Sequence, residues 1–138
     1  MEDGLCVVSP AGETLGGGKT TVINQEPTAM FLNQTTAVQI KIGDWTLVFD
    51  PGGNIPFSVG MTFPNAKLYP QDKAAGMAIE NNGNKCNQIQ GQFMDFILQS
   101  AQNGVQQTDP ISSFDILFSM QCNGESQALQ GRVKMSQK

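Results

Sequence analysis

Two stretches in the second half of this chain constrain its fold more than any other feature, because each sets a cysteine at the end of a long strand-like run. The first begins Asn84-Lys85-Cys86-Asn87 and continues through 88–98, where Ile89, Gly91, Phe93, Asp95 and Ile97 fall on one face and Gln90, Gln92, Met94, Phe96 and Leu98 on the other. That period of two is the signature of a strand. The second covers 112–122 and closes on Met120-Gln121-Cys122-Asn123-Gly124. Joined through a polar loop at 100–110, the two runs pair antiparallel, and the start of one meets the end of the other. Cys86 and Cys122 then fall within the reach a disulfide requires, so the sequence predicts a Cys86–Cys122 bridge. With three cysteines in all, Cys6 is the odd one out, either an inert buried thiol or one half of an intermolecular bridge. A helical reading of 92–102, with Phe93, Phe96 and Ile97 at helical spacing, gives way to the strand because of its partner strand and the flanking glycines.

The remainder reads as further strands. Residues 4–8 form a short apolar run, expected as an edge strand, followed by a turn at 9–13. Gly16-Gly17-Gly18-Lys19-Thr20 invites a phosphate-loop reading, but the motif requires a glycine where Glu13 stands and a helix afterwards. The β-branched Thr20-Thr21-Val22-Ile23 is a strand instead. Val38, Ile40 and Ile42 alternate with Gln39 and Lys41, and Trp45, Leu47 and Phe49 share one face. With Gly43-Asp44 between them, these runs predict a hairpin. Asp50-Pro51-Gly52-Gly53-Asn54 reads as a turn; a calcium loop brings more carboxylates. Residues 55–75 are irregular, with short strands at 61–63 and 67–69. A strand at 76–80, a positive-φ turn over Asn81-Asn82-Gly83-Asn84 and a last strand at 127–135 complete the chain. The fold class expected is all-β: an antiparallel β-sandwich or flattened barrel of about 8–10 strands with one disulfide, forming a single domain over 1–138.

Composition narrows the function. The net charge is −4 and the eight lysines and arginines are scattered, which argues against a nucleic-acid partner. Only 14% of residues are charged, against roughly 25% in ordinary domains; glutamine and asparagine supply the polarity, as suits a secreted or surface-attached module. There is no histidine, which removes Ser-His-Asp and Cys-His catalysis and histidine-ligated metals. No apolar run is long enough for a membrane-spanning helix, and the acidic start Met1-Glu2-Asp3-Gly4 lacks the apolar segment of a signal peptide. Asn33-Gln34-Thr35 matches a glycosylation sequon.

The order and spacing of several short motifs resemble a family of small, uncharacterised bacterial secreted β-proteins, over about residues 10–135. The motifs are Gly12-Glu13 with Gly16 and Gly18; Trp45, Leu47 and Phe49 followed by Pro51-Gly52; Phe63 and Ala66 followed by Tyr69-Pro70; Cys86-Asn87 with Gly91 and Phe93; and Phe118, Cys122, Gly124, Ala128-Leu129 and Gly131. Similar proteins carry Arg-Gly before the first cysteine, Glu-Gln-His before the second and Glu after it. Here those positions hold Asn84-Lys85, Ser119-Met120-Gln121 and Asn123. The scaffold residues are kept and the charged cluster is not.

The expectation that follows is a non-catalytic, secreted, periplasmic or cell-surface β-sandwich binding module for a glycan, polymer or protein ligand, monomeric or weakly homo-oligomeric, with no cofactor, metal or catalytic residue. Lys85, Gln121 and Asn123 around the bridge, and Tyr69, are the candidate ligand contacts. Trp45, Tyr69 and Phe63 would make an aromatic platform if exposed, although alternation places Trp45 in the core. A structural, self-associating surface subunit is the alternative, resting on Cys6 near an edge strand. A carboxylate hydrolase would require Asp44 with Asp50, or Asp95 facing Asp115.

Overall fold

The computed structural model describes residues 2–32, 36–53, 60–100 and 111–136, with the backbone alone for 95–100 and 112. Eleven strands account for most of the described chain and none of it is helical: β1 (Gly4–Val8), β2 (Thr20–Ile23), β3 (Thr28–Phe31), β4 (Val38–Ile42), β5 (Trp45–Asp50), β6 (Thr62–Leu68), β7 (Gly76–Asn81), β8 (Asn84–Lys85), β9 (Ile89–Ser100), β10 (Ile111–Cys122) and β11 (Ala128–Met135). They form one curled sheet in the order β2-β1-β11-β10-β9-β6-β7-β5-β4-β3, with β8 paired to β7. All pairings are antiparallel except β6 with β7. The all-β expectation holds, and the strand count exceeds the expected range because β3 and β8 are separate elements.

The sheet folds over on itself and buries one face as a single apolar cluster. Phe49 on β5 packs against Phe93 of β9 and Phe118 of β10, with ring centroids 5.2 and 5.6 Å apart. Rings at these separations contribute beyond the area they bury. Two glycines make room for this packing. Gly131 lies directly opposite Phe118, and a Cβ there would sit 2.3 Å from the ring; at Gly91 it would meet Met77 Sδ at 2.7 Å. Both glycines serve the core.

The alternation read from the sequence is realised at the β4–β5 hairpin. Val38, Ile40, Ile42, Trp45, Leu47 and Phe49 are all buried, and the register Ile42↔Trp45 leaves Gly43-Asp44 as the connecting pair. Gly43 has φ +56°, which a type II′ turn demands at its first central position. Asn82-Gly83, at φ +51° and +85°, turns β7 into β8 as the positive-φ prediction required.

The predicted disulfide is present. Cys86 and Cys122 are bonded with their Cα atoms 5.4 Å apart, 36 positions apart in sequence. β9 and β10 pair from Cys122↔Ile89 onward, so the start of one strand meets the end of the other, and Cys6 is the free cysteine.

Other expectations are corrected. β1 is not an edge strand: it lies between β2 and β11, and the sheet ends on β2 and β3. Residues 62–68 form one strand, with an irregularity between Phe63 and Ala66, where two short ones were expected. β9 runs on to Ser100 without a helical turn. The sequon at 33–35, Asn54 and most of the predicted 100–110 loop lie outside the described residues.

Candidate functional site

The disulfide corner is assembled from two turns brought together by the β9–β10 ladder. After β10, Asn123 and Gly124 take φ +54° and +74°, and Glu125 N donates to the Cys122 carbonyl at 3.0 Å, closing a tight turn. Asn tolerates this left-handed geometry better than other side chains. Asn123 then clamps the neighbouring segment from both sides. Its Oδ1 accepts from Asn87 N at 2.6 Å and Gln88 N at 3.1 Å, and its backbone N–H donates to the Gln88 carbonyl at 3.0 Å. These backbone groups follow a two-residue strand and have no ladder of their own, so the side chain substitutes for one.

Beside this corner runs a groove of about 520 Å³, lined chiefly by amides: Gln71, Asn87, Gln88, Gln90 and Gln121, with Ser126. Its ionisable walls are one lysine, Lys67, and one carboxylate, Glu125. Lys67 Nζ donates to Gln90 Oε1, Gln71 Nε2 donates to the Leu68 carbonyl at 2.7 Å, and Gln121 Nε2 makes a long contact of 3.4 Å with the Ser126 carbonyl. Glu125 accepts from Thr14 Oγ1 through Oε2, while its Oε1 is buried without a hydrogen-bond partner among the described residues. Buried polar atoms are rarely left so.

The four candidate contacts separate. Gln121 lines the groove. Asn123 shapes it, with its side-chain oxygen occupied by backbone amides. Lys85 is exposed on β8, opposite Glu80, and does not line the groove. Tyr69 continues from the end of β6 and donates its amide to the Met77 carbonyl at 3.0 Å. Burial, and secondarily the Asp50 carboxylate, raise its phenol above the ordinary value. It too lies outside the groove lining. No aromatic platform forms: Trp45 is 3% exposed and Phe63 stacks on Phe93 at 4.7 Å.

Asp44 and Asp50 are not brought together, and Asp95 is not opposite Asp115 in the β9–β10 ladder. Asp44 precedes β5 and Asp50 ends it, which at ~3.3 Å per residue separates them by roughly 20 Å. Asp50 Oδ1 accepts from Gly52 N at 2.9 Å, an Asx turn that closes the strand. A register shift between Asp115 and Ile116 places Asp115 opposite Ile97 and Asp95 opposite Ile116. Asp115 is instead held by Arg132 in a two-pronged pair, at 2.8 and 2.6 Å. That hydrogen bond, partly opposed by burial, raises the guanidinium pKa further. No cluster of three cysteine or acidic side chains suited to a metal occurs among the described residues.

One feature of the glycine-rich loop is not announced by its composition. Glu13 is 3% exposed, and its carboxylate accepts from Ser9 Oγ at 2.8 Å, Leu15 N at 2.9 Å and Gly16 N at 2.7 Å. Ser9 Oγ in turn accepts from Gly18 N at 2.9 Å. The amides a phosphate would need are therefore occupied from within. The signal was the acidic residue itself, standing where a phosphate loop has its first glycine.

Compared with known proteins, the chain matches no family model, no curated protein and no solved structure.

Proposed function

We propose that the chain is a non-catalytic binding module, secreted or displayed at a cell surface, and that the amide-lined groove beside the Cys86–Cys122 bridge takes a neutral, hydroxyl-rich polymer, a glycan first. The observation that carries this reading is the lining itself. Side-chain amides offer donors and acceptors together, as hydroxyl groups require, and Lys67 and Glu125 balance in charge, which favours a neutral ligand over an ionic one. The corner is tied by the disulfide and by Asn123, so a ligand meets a wall already in place. With no aromatic ring in the lining, affinity would come from hydrogen bonds rather than stacking. The disulfide supports an oxidising compartment.

A neutral-glycan array followed by a thermal-shift titration tests the reading. A bound oligosaccharide should raise the melting temperature. Gln121→Ala and Gln90→Ala should each weaken binding about tenfold, the loss of one or two net hydrogen bonds, while leaving the free protein's melting unchanged. An empty array, or binding indifferent to both substitutions, would discard it.

A further inference from the structure

The curled sheet ends on β2, whose described neighbour is β1 alone. A free edge presents a row of backbone N–H and C=O groups, and natural proteins blunt such edges with short strands, lysine, proline, inward charge or bulges. β2 is short, at four residues, and Lys19 precedes it, but within the strand there is no charge, proline or bulge: Thr20-Thr21-Val22-Ile23 is neutral and β-branched throughout, and its pairing with β1 is in continuous register. The other edge, β3, is preceded directly by Pro27. On the outer face of β2, Val22 is 58% exposed. It stands opposite Cys6, and the row continues inward through Arg132 and Leu117 to Met94. Val8, 48% exposed, lies on the same face.

We infer that β2 is a self-association edge, at which a second copy of this chain adds antiparallel and makes the two sheets continuous. The edge suits its own copy. A two-fold axis normal to the sheet keeps outer face with outer face, so an outward residue can meet only an outward one. The register centred on Val22 sets Val22 against Val22 of the second copy and Thr21 against Ile23. The facing side chains of these pairs are β-branched, the class of cross-strand pair that stabilises a sheet, Thr20 meets the neutral Asn24, and no like charges oppose one another over β2 despite the chain's net charge of −4. Pairing would also bring the two Val22 side chains together and cover one flank of each. Three strand spacings, about 14 Å in all, separate Cys6 from its counterpart across such a pair, well beyond disulfide reach, so the association does not run through the free thiol.

The test uses the full chain in a Cys6→Ser background. Directly opposed residues in an antiparallel pair lie ~4.5–5.5 Å apart at Cα, so Val22→Cys should give a covalent dimer under mild oxidation. Val8→Cys, comparably exposed on the same face but one strand inward, should not. By light scattering, the wild-type chain should dimerise with concentration, and Val22→Lys should weaken that association about tenfold or more by opposing two like charges. A wild-type chain that stays monomeric, Val22→Cys that cross-links no better than Val8→Cys, or a dimer unaffected by Val22→Lys would each overturn the proposal.

Discussion

At the disulfide corner, a covalent bond and the Asn123 side chain hold residues 86–88 against 122–125. In the glycine-rich loop, a single buried carboxylate does the equivalent work for residues 9–18. The two regions even touch, through Thr14 and Glu125. Their physics differs. A disulfide acts largely by restricting the unfolded chain. The Glu13 carboxylate contributes only in the folded state, by satisfying donors that burial has taken from water. One region should therefore be sensitive to reductant and the other indifferent to it, although both fix backbone with no ladder of its own.

Breaking the bridge should have the largest effect. For a loop spanning 36 positions the chain-entropy model gives about 4 kcal/mol, on the order of 15 °C in melting temperature for a chain of this size. Calorimetry of Cys86→Ala or Cys122→Ala should show that drop, reductant should reproduce it in the wild type, and Cys6→Ala should stay within ~0.5 kcal/mol. If reduction left the wild type's melting unchanged, the corner would not owe its stability to the bond.

Glu13→Ala comes next, with an expected loss of about 2–3 kcal/mol, since it leaves a hydroxyl and two backbone amides without their charged acceptor. Denaturant melts should show the same decrement with and without reductant. A decrement that vanished on reduction would mean the Thr14–Glu125 contact couples the two regions into one unit.

Asn123→Gly is the finest probe. Glycine keeps the positive φ available and removes only the clamp, so the loss should be about 1 kcal/mol. Faster amide exchange at Asn87 and Gln88 would locate it. Unchanged exchange there would show the disulfide alone to be sufficient.

Much of the fold was legible because its strands alternate strongly. Val38 to Phe49 announces a hairpin in sequence, and the positions of Cys86 and Cys122 at opposite ends of two long strands announce their pairing. What escaped was set by tertiary context. β3 is four residues long behind a proline, too short for a period to register. The parallel pairing of β6 with β7 has no local signature. The register of β9 on β10, which sets Ile97 and not Asp95 opposite Asp115, is invisible without the partner strand. At the candidate site, Gln121 was found from its place beside the bridge, whereas the amides of Gln71, Gln88 and Gln90 converge with it only through the fold. Asn123 was read as a contact, and its geometry makes it a brace.

The pairing of β1 with β11 has a consequence for how the fold can form. The first strand of the chain finds one of its two neighbours in the last, from Gly4↔Lys134 to Val8↔Gln130, and Asp3 accepts a hydrogen bond from Ser136 N at 2.9 Å. During synthesis β1 therefore waits, half-paired, until residues 130–134 exist. Contacts of such separation slow folding, because the loop must close before the ladder stabilises it. The sheet is completed late and all at once, and a chain truncated before residue 128 would leave both β1 and β10 with an open flank.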